Sequence, residues 1–324
     1  MKEAIFVDNL VKRFESVTAV AGVSFSVRQG ERFGFLGPNG AGKTTTINLL
    51  TGLARPDAGT IRIGGIPCTD KPGAGQHLIG VVPDESNLYP ELSGFDNLCF
   101  CGALYGLEKR QRVRRAHNLL EAFGLTPAAD RKFGGYSKGM KRKLTIAAGI
   151  IHRPAILFLD EPTTGIDVAS ARKVRQLIAE LNRTGTTIFL TTHYIEEAQR
   201  LCDRIAFIVD GHIVAIDTVD HLLQPIQQTH VLLIACTDAP SGILNHLSEA
   251  FPRLGFTIPR LGQIRVESAT PVGVGPLVRF LEDRGAEVAE ARRVRPSLEE
   301  VFVRITGVEA DAMGREKITR KGSS

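Results

Sequence analysis

The fold of this chain is decided by the stretch Gly37-Pro38-Asn39-Gly40-Ala41-Gly42-Lys43-Thr44. An apolar segment from Arg32 to Leu36, typical of a buried strand, precedes it, and the segment from Lys43 to Leu53 continues as a helix. In this context the glycines let backbone N–H groups curl around phosphate oxygens, beside the positive end of the helix dipole. The sequence therefore predicts a phosphate-binding loop, in preference to an ordinary glycine-rich turn.

The predicted loop also contains the side chains that a nucleoside triphosphate with Mg²⁺ requires. Lys43 supplies a mobile cation for the phosphates, and Thr44 offers a hydroxyl group to the metal. The expected nucleotide-binding residues of this segment are Gly37, Pro38, Asn39, Gly40, Ala41, Gly42, Lys43, Thr44 and Thr45.

Two carboxylates follow another apolar segment. Ile156 to Leu159 is a predicted buried strand, and Asp160 and Glu161 stand at its carboxyl end. Alternation along the strand is expected to send the two side chains in different directions. Asp160 is then placed to hold Mg²⁺ with Thr44, through water, and Glu161 to polarise the water that attacks the γ-phosphate. The alternative, a surface acidic pair, does not suit the end of an apolar strand.

The composition is that of a globular protein. Of 324 residues 43% are hydrophobic, which is enough for one large domain and a smaller one. A net charge of +5 and a pI of about 9.0 are too mild and too scattered to indicate nucleic-acid binding. The five cysteines lack metal-ligand spacing and are expected to be reduced thiols.

No segment has the pattern of an export signal or a membrane span. The N-terminus leads directly into a predicted strand. Apolar stretches such as 144–151 and 155–159 are far shorter than the roughly 18 residues that a spanning helix needs. Any contact with a membrane is therefore expected through a partner.

Three further motifs stand in a fixed order around these elements. Tyr136-Ser137-Lys138-Gly139-Met140 comes shortly before Asp160, Gly165-Ile166-Asp167 comes shortly after Glu161, and Thr192-His193 ends the next predicted strand. With the phosphate loop, they resemble the signature motif, the dimer-contacting loop and the histidine switch of ABC transporter nucleotide-binding subunits, over about the first two-thirds of the chain. Taken alone, the first motif is also typical of a capped structural helix, and a lone histidine of a core or surface residue.

The resemblance implies a dimer that closes around ATP and Mg²⁺. By this resemblance, Ser137 and Gly139 open a helix whose start binds the nucleotide of a second copy, in a head-to-tail dimer with two composite sites. Asp167 belongs to the same nucleotide-binding interface. Glu161 and His193 are the expected catalytic residues, and His193 is expected to keep Glu161 and the attacking water in the positions that hydrolysis requires.

Two site residues are less typical of the family. Phe14 stands where the family places an adenine-stacking aromatic, although a core phenylalanine is the alternative. Where the family has a glutamine that reaches both Mg²⁺ and the membrane subunit, this sequence has Asp84 followed by Glu85. Because a carboxylate is a good hard ligand, Asp84 is expected to bind the metal with Thr44 and Asp160. Alternatively, Asp84 points to solvent, and Glu85 or water takes this role.

The signature motif also departs from the usual form at Lys138 and Met140. Its Ser-Lys-Gly-Met version, together with the closing segment from Arg295 to Phe302, resembles the exporters of drugs, lipids and polysaccharides. This implies an ATP-hydrolysing subunit that powers export through a separate transmembrane permease, on the cytoplasmic face of the cell membrane. The cargo and the transport direction stay open, because cargo contacts lie in the permease.

Two other functions are compatible with parts of the pattern. A soluble ABC ATPase of translation or DNA repair usually has two cassettes or a long coiled coil, and this sequence has neither pattern. A degenerate cassette that binds ATP only as a regulatory module would not need Glu161 and His193.

The predicted fold class is α/β. It comprises a P-loop ATPase core with an antiparallel β subdomain and an inserted helical subdomain, plus a small C-terminal α+β domain. The nucleotide-binding domain is expected over residues 1–219, with the helical subdomain at about 86–152. The accessory domain is expected over 220–309, followed by a disordered basic tail over 310–324.

Overall fold

The phosphate loop follows an inner strand of a six-stranded sheet in the computed structural model of this protein. The structure describes residues 2–227, 230–237, 242–294 and 297–308. The predicted tail at 310–324 lies outside these residues, as do Arg295 and Pro296 of the predicted closing segment.

The strands and helices of the described residues are numbered in chain order. The strands are β1 (Glu3–Phe14), β2 (Val17–Arg28), β3 (Arg32–Leu36), β4 (Ala58–Ile63), β5 (Ile66–Pro67), β6 (Ile79–Val82), β7 (Ile156–Asp160), β8 (Thr187–Thr192), β9 (Arg204–Val209), β10 (His212–Thr218), β11 (His230–Cys236), β12 (Gly255–Arg260), β13 (Gln263–Ser268) and β14 (Val288–Val294). The helices are α1 (Lys43–Leu50), α2 (Gly94–Leu104), α3 (Lys109–Ala122), α4 (Lys138–Gly149), α5 (Val168–Arg183), α6 (Ile195–Leu201), α7 (Val219–Gln227), α8 (Ile243–Ala250), α9 (Val274–Glu282) and α10 (Leu298–Thr306).

The six-stranded sheet has the order β10-β9-β3-β8-β7-β6. All pairs between β9 and β6 are parallel, and only β10 pairs with its neighbour in the antiparallel sense. Parallel strands point their carboxyl ends to the same edge, which is where open α/β sheets bind ligands. The phosphate loop, Asp160, His193 and Asp84 come at or after the ends of β3, β7, β8 and β6, so the topology brings the predicted site together.

A second, antiparallel sheet has the order β2-β1-β4-β5 and confirms the pairing predicted for the N-terminal strands. Its buried residues form one core cluster with residues of the parallel sheet. The centre of this cluster is aromatic, with ring centroids 5.4–6.0 Å apart, and comprises Phe25, Phe33, Phe35, Phe158 and Phe189. Burial of these large side chains fixes β3, β7 and β8, the strands that end at the site.

The helical block lies between β6 and β7 in the chain and contains α2, α3 and α4. Ser93 caps α2 by accepting a hydrogen bond from the Asp96 amide, and Ser137 caps α4 in the same way from Met140. The segment between α3 and α4 is not α-helical and forms two short 3₁₀ turns instead. Gly124 has a φ of 63°, so α3 ends in a left-handed turn. The spacing of apolar residues in the sequence does not predict this end.

The chain divides into two compact units, one up to Thr218 that resumes at Ile305, and one over Val219–Arg304. The second unit contains the sheet β12-β13-β11-β14, whose strand pairs are antiparallel. With α8 and α9 this gives a β-α-β-β-α-β order, the split β-α-β arrangement, around its own core. The α+β character predicted for this region is confirmed.

Within the described ranges, none of the helices has the length and apolar character that a bilayer crossing needs.

Candidate active site

The phosphate loop passes so close to neighbouring backbone that side chains would not fit. A Cβ atom on Gly37 would lie 2.1 Å from the Ile208 carbonyl oxygen, and one on Gly42 would lie 2.2 Å from that of Ala19. Gly42 also has a φ of 103°, which disfavours other residues. The glycines therefore allow the tight loop that opens α1, and the amides at the start of this helix favour an anion.

Lys43 is buried at the start of α1 and contacts both the loop and the carboxylates. Its Nζ donates to the carbonyl oxygens of Gly37 at 2.8 Å and Pro38 at 3.2 Å, and lies 3.4 Å from Oε1 of Glu161. Burial lowers the pKa of Lys43, and the charges of Glu161, Asp160 and Asp84 offset only part of this effect.

Glu161 is buried immediately after β7, with a φ of 47°. Its carboxylate accepts hydrogen bonds from His193 Nδ1 at 2.9 Å and from Thr164 Oγ1 at 3.0 Å. Burial raises the pKa of Glu161, but the hydrogen bond from His193 and the charge of Lys43 lower it by more, so the carboxylate is held ionised. An ionised carboxylate at this point can accept a proton from water.

Asp160 and Glu161 do point to different partners, but not because of strand alternation. Asp160 is the last residue of β7, and its carboxylate accepts a short hydrogen bond from Thr191 Oγ1 on β8. Glu161 already lies in a left-handed turn beyond the strand, and this turn sets its direction. The two side chains point in different directions as predicted, but the predicted cause, alternation along the strand, was wrong.

Asp84 lies after β6 with an exposed side chain. Desolvation raises its pKa, Arg142 lowers it, and the charges of Asp160 and Glu161 raise it. Asp84 is thus within electrostatic range of both predicted carboxylates. The part of the chain that the structure describes contains no group of three or more His, Cys, Asp or Glu side chains arranged for a metal.

The signature residues contact the first turn of α5. A Cβ atom on Gly139 would lie 2.2 Å from Ser170 Oγ, so glycine is needed where α4 approaches α5. Asp167 caps α5 by accepting from the Ser170 amide at 2.9 Å. Ser137 and Asp167 are both exposed. Among the described residues, Ser137 makes its hydrogen bonds within the first turn of α4 and not with the phosphate loop.

Phe14 ends β1 with 51% of its surface exposed, so it is not a core residue. Lys12 Nζ lies 5.2 Å from its ring centroid. An exposed ring remains available for stacking, and its contact with adenine stays a prediction.

Two buried charges beside Asp160 and Glu161 were not predicted from the sequence. Arg142 of α4 donates hydrogen bonds to backbone carbonyl oxygens, including that of Glu161 at 2.7 Å. Glu197 of α6 accepts a short hydrogen bond from Thr163 Oγ1 and one from Thr192 Oγ1 at 3.1 Å. The sequence signal for Arg142 was a basic side chain within a helix that is otherwise apolar on its buried face.

Comparisons with known proteins show the family of this chain. The sequence model of the ABC transporter family matches residues 20–164. The chain is 38% identical over 318 residues to the daunorubicin/doxorubicin resistance ATP-binding protein DrrA of Streptomyces peucetius, covering 97% of this chain and 96% of that protein. It is 36% identical over 312 residues to the Nod factor export ATP-binding protein I of Ralstonia nicotianae, covering 94% of each.

A similar solved structure is the dimeric post-hydrolysis state of an ATP-binding cassette bound to ADP and phosphate. It matches with a TM-score of 0.61 at 26% identity, over 66% of this chain and 98% of that one. The chain therefore belongs to the ABC transporter family, as an ATP-binding subunit. This confirms the predicted P-loop ATPase fold and ATP hydrolysis as the activity, and subunits of this family dimerise and work with transmembrane partners.

Proposed function

We propose that this chain hydrolyses ATP at Glu161 to drive export through a transmembrane permease. The observation that carries the proposal is the contact of one buried carboxylate with both His193 and Lys43. Support for export comes from the relatives, which are named for antibiotic resistance and for Nod factor export.

Lys43 is expected to change partners when ATP binds. In the structure its cation is shared between loop carbonyl oxygens and Glu161. A γ-phosphate carries more negative charge and competes for the same cation. When Lys43 turns to the phosphate, Glu161 keeps the hydrogen bond of His193 but loses its ion pair, and it becomes a stronger acceptor for a proton of the attacking water.

Mg²⁺ fits the oxygen donors at this edge of the sheet. Thr44 offers an exposed hydroxyl at the start of α1, and Asp160 a buried carboxylate. Mg²⁺ prefers oxygen ligands and keeps several waters when phosphates also bind it, so a three-carboxylate cluster is not needed. When bound, the ion would neutralise charge on the phosphates, with Asp84 as a further ligand.

The second copy is proposed to complete each nucleotide site through Ser137 and Gly139. Both lie at the start of α4, where a helix dipole and free amides favour an anion. Val168, beside the Asp167 cap, is 84% exposed, an apolar surface that suits a protein interface. The similar cassette bound to ADP and phosphate is a dimer, which supports dimerisation of this chain.

The permease is proposed to dock on the exposed aromatic and aliphatic surface that follows Asp84. Tyr89 and Phe100 contact each other edge to face at 5.2 Å and are 50% and 39% exposed. Leu104 and Tyr105 extend this surface along α2, at 72% and 41% exposure. Because Tyr89 follows Asp84 closely in the chain, a permease docked here would contact the segment that continues from the Asp84 loop.

Transport in cells tests the export function. The chain would be produced together with a candidate multi-spanning permease, and efflux of an amphipathic antibiotic would be measured. We expect efflux with the native chain and none with Glu161→Gln at equal protein levels. Equal efflux from both cell lines, or a requirement for an extracellular solute-binding protein, would contradict ATP-driven export.

A further inference from the structure

Arg142 of α4 is hydrogen-bonded to two functional segments of this chain. It is 7% exposed and about one turn into the helix that Ser137 caps. Its guanidinium donates to the carbonyl oxygens of Pro162 at 2.8 Å, Glu161 at 2.7 Å and Asp84 at 3.1 Å. It also donates to the carbonyl oxygens of Pro83 and Asp160.

These bonds tie together two loops that are far apart in the chain. One loop carries the catalytic carboxylates, and the other carries Asp84 and leads to the proposed permease surface. A second contact of the same helix supports the link, because Thr145 Oγ1 lies 2.8 Å from Ser86 Oγ. α4 therefore contacts the Asp84 loop at two successive turns.

The positive charge of Arg142 is stabilised by the dipoles of backbone carbonyl groups and not by a direct ion pair. None of the ion pairs between described residues includes it. Burial lowers the pKa of Arg142, and the nearby charges of Asp84, Asp160, Glu197 and Glu161 raise it. A buried cation is tolerated only while its N–H groups are hydrogen-bonded, so a shift of α4 has to carry both loops with it or leave donors unsatisfied.

We propose that Arg142 is a positioning residue that couples the two ATP sites of the dimer. The proposal rests on the function proposed above, in which the start of α4 binds the nucleotide of the second copy while Glu161 acts on the nucleotide of its own chain. A nucleotide that pulls on Ser137 then moves Arg142, and Arg142 moves the backbone of Glu161. Occupation of one site thereby sets the catalytic geometry of the other.

The substitutions Arg142→Gln and Arg142→Lys test this coupling in the full-length chain. Glutamine removes the charge and most of the N–H donors. Lysine keeps the charge but lacks the planar fork of donors with which arginine bonds to both loops at once. Lys143→Gln is the matched control, since Lys143 is the next residue of α4 and donates to the Phe123 carbonyl oxygen, outside the site. Each protein would be assayed for ATP hydrolysis, for binding of a fluorescent ATP analogue and for thermal unfolding.

We expect kcat to fall about 100-fold in Arg142→Gln and less in Arg142→Lys, with binding of the analogue nearly unchanged. The Hill coefficient for ATP should exceed 1 in the native chain and in Lys143→Gln, and fall to about 1 in both Arg142 variants. A purely structural role would lower the unfolding temperature and the active fraction but would leave the Hill coefficient of the remaining enzyme unchanged.

Two outcomes would overturn the coupling role while the ATPase function stands. One is native kcat and cooperativity in Arg142→Gln. The other is non-cooperative hydrolysis by the native chain. If Arg142→Gln does not fold, Arg142→Lys still tests the proposal. A native Hill coefficient in Arg142→Lys contradicts it without the other variant. If the native chain does not hydrolyse ATP, the proposed function fails, and this inference fails with it.

Discussion

The imidazole of His193 donates a hydrogen bond from Nδ1 to Oε2 of Glu161 over 2.9 Å, joining the residues that follow two adjacent strands. Glu161 is already bonded to Thr164 and paired with Lys43, so its carboxylate is oriented before any nucleotide arrives. Orientation of this kind removes part of the reorganisation that the hydrolytic step would otherwise require.

Glu161→Gln is expected to bind ATP yet hydrolyse it at least about 100-fold more slowly, because the amide keeps the shape but cannot accept the proton of water. The unreacted ATP should then trap a closed dimer. Phosphate release and size-exclusion chromatography with ATP measure the two effects. Glu196→Gln is the control, since the Glu196 side chain is 83% exposed and pairs with Arg200 on the surface of α6. Native turnover in Glu161→Gln would remove the catalytic assignment.

Ser137→Arg is expected to abolish hydrolysis by acting across the dimer, because its bulk would collide with the nucleotide of the second copy. Mixing it with Lys43→Ala should restore partial activity, at most about half of that of a native dimer, since one composite site is then intact. Ser93→Arg is the control: Ser93 caps α2 as Ser137 caps α4, so both lose about 1 kcal/mol of capping. No recovery in verified mixed dimers would argue against composite sites.

Asp84 is expected to make hydrolysis more steeply dependent on Mg²⁺ than a glutamine would. Its negative charge repels the phosphates unless the metal is bound, and it already lies near Asp160 and Glu161. ATPase rates against free Mg²⁺ would be compared for the native chain, Asp84→Gln and Asp84→Ala. Glu85→Gln tests whether the neighbouring carboxylate takes this role instead. Superimposable curves for the native chain and both Asp84 variants would exclude a metal role.

The region after Asp217 is expected to support dimerisation or regulation without contacting the phosphates. It has its own core, and its sequence contains no second phosphate loop. A merely stabilising appendage is the alternative. A chain ending at Asp217 should keep ATP binding, measured with a fluorescent analogue, but lose ATP-dependent dimerisation on a sizing column. A folded truncation that no longer binds ATP would contradict the expectation that this region does not contact the phosphates. One that dimerises and hydrolyses ATP as the full chain does would favour the stabilising appendage.

The sequence by itself determined the phosphate loop, the strand that presents Asp160, and the capped start of α4. These features are local: an apolar run, a glycine pattern or a serine at a helix start acts on its near neighbours in the chain. The parallel order of β3, β8 and β7 then follows from alternation of strands and helices, so even the common edge of the site was predictable.

Only the tertiary structure decided how the charged groups pair at that edge. The left-handed turn at Glu161, its bond to His193 and the contacts of Arg142 with two separate loops depend on residues that are dozens of positions apart. An arginine in a helix has the same local pattern whether it faces solvent or buried carbonyl oxygens. The partners of Arg142 depend on how α4 packs against the loops that follow β6 and β7. A buried cation must be hydrogen-bonded, so it bonds to the carbonyl oxygens that this packing places around it.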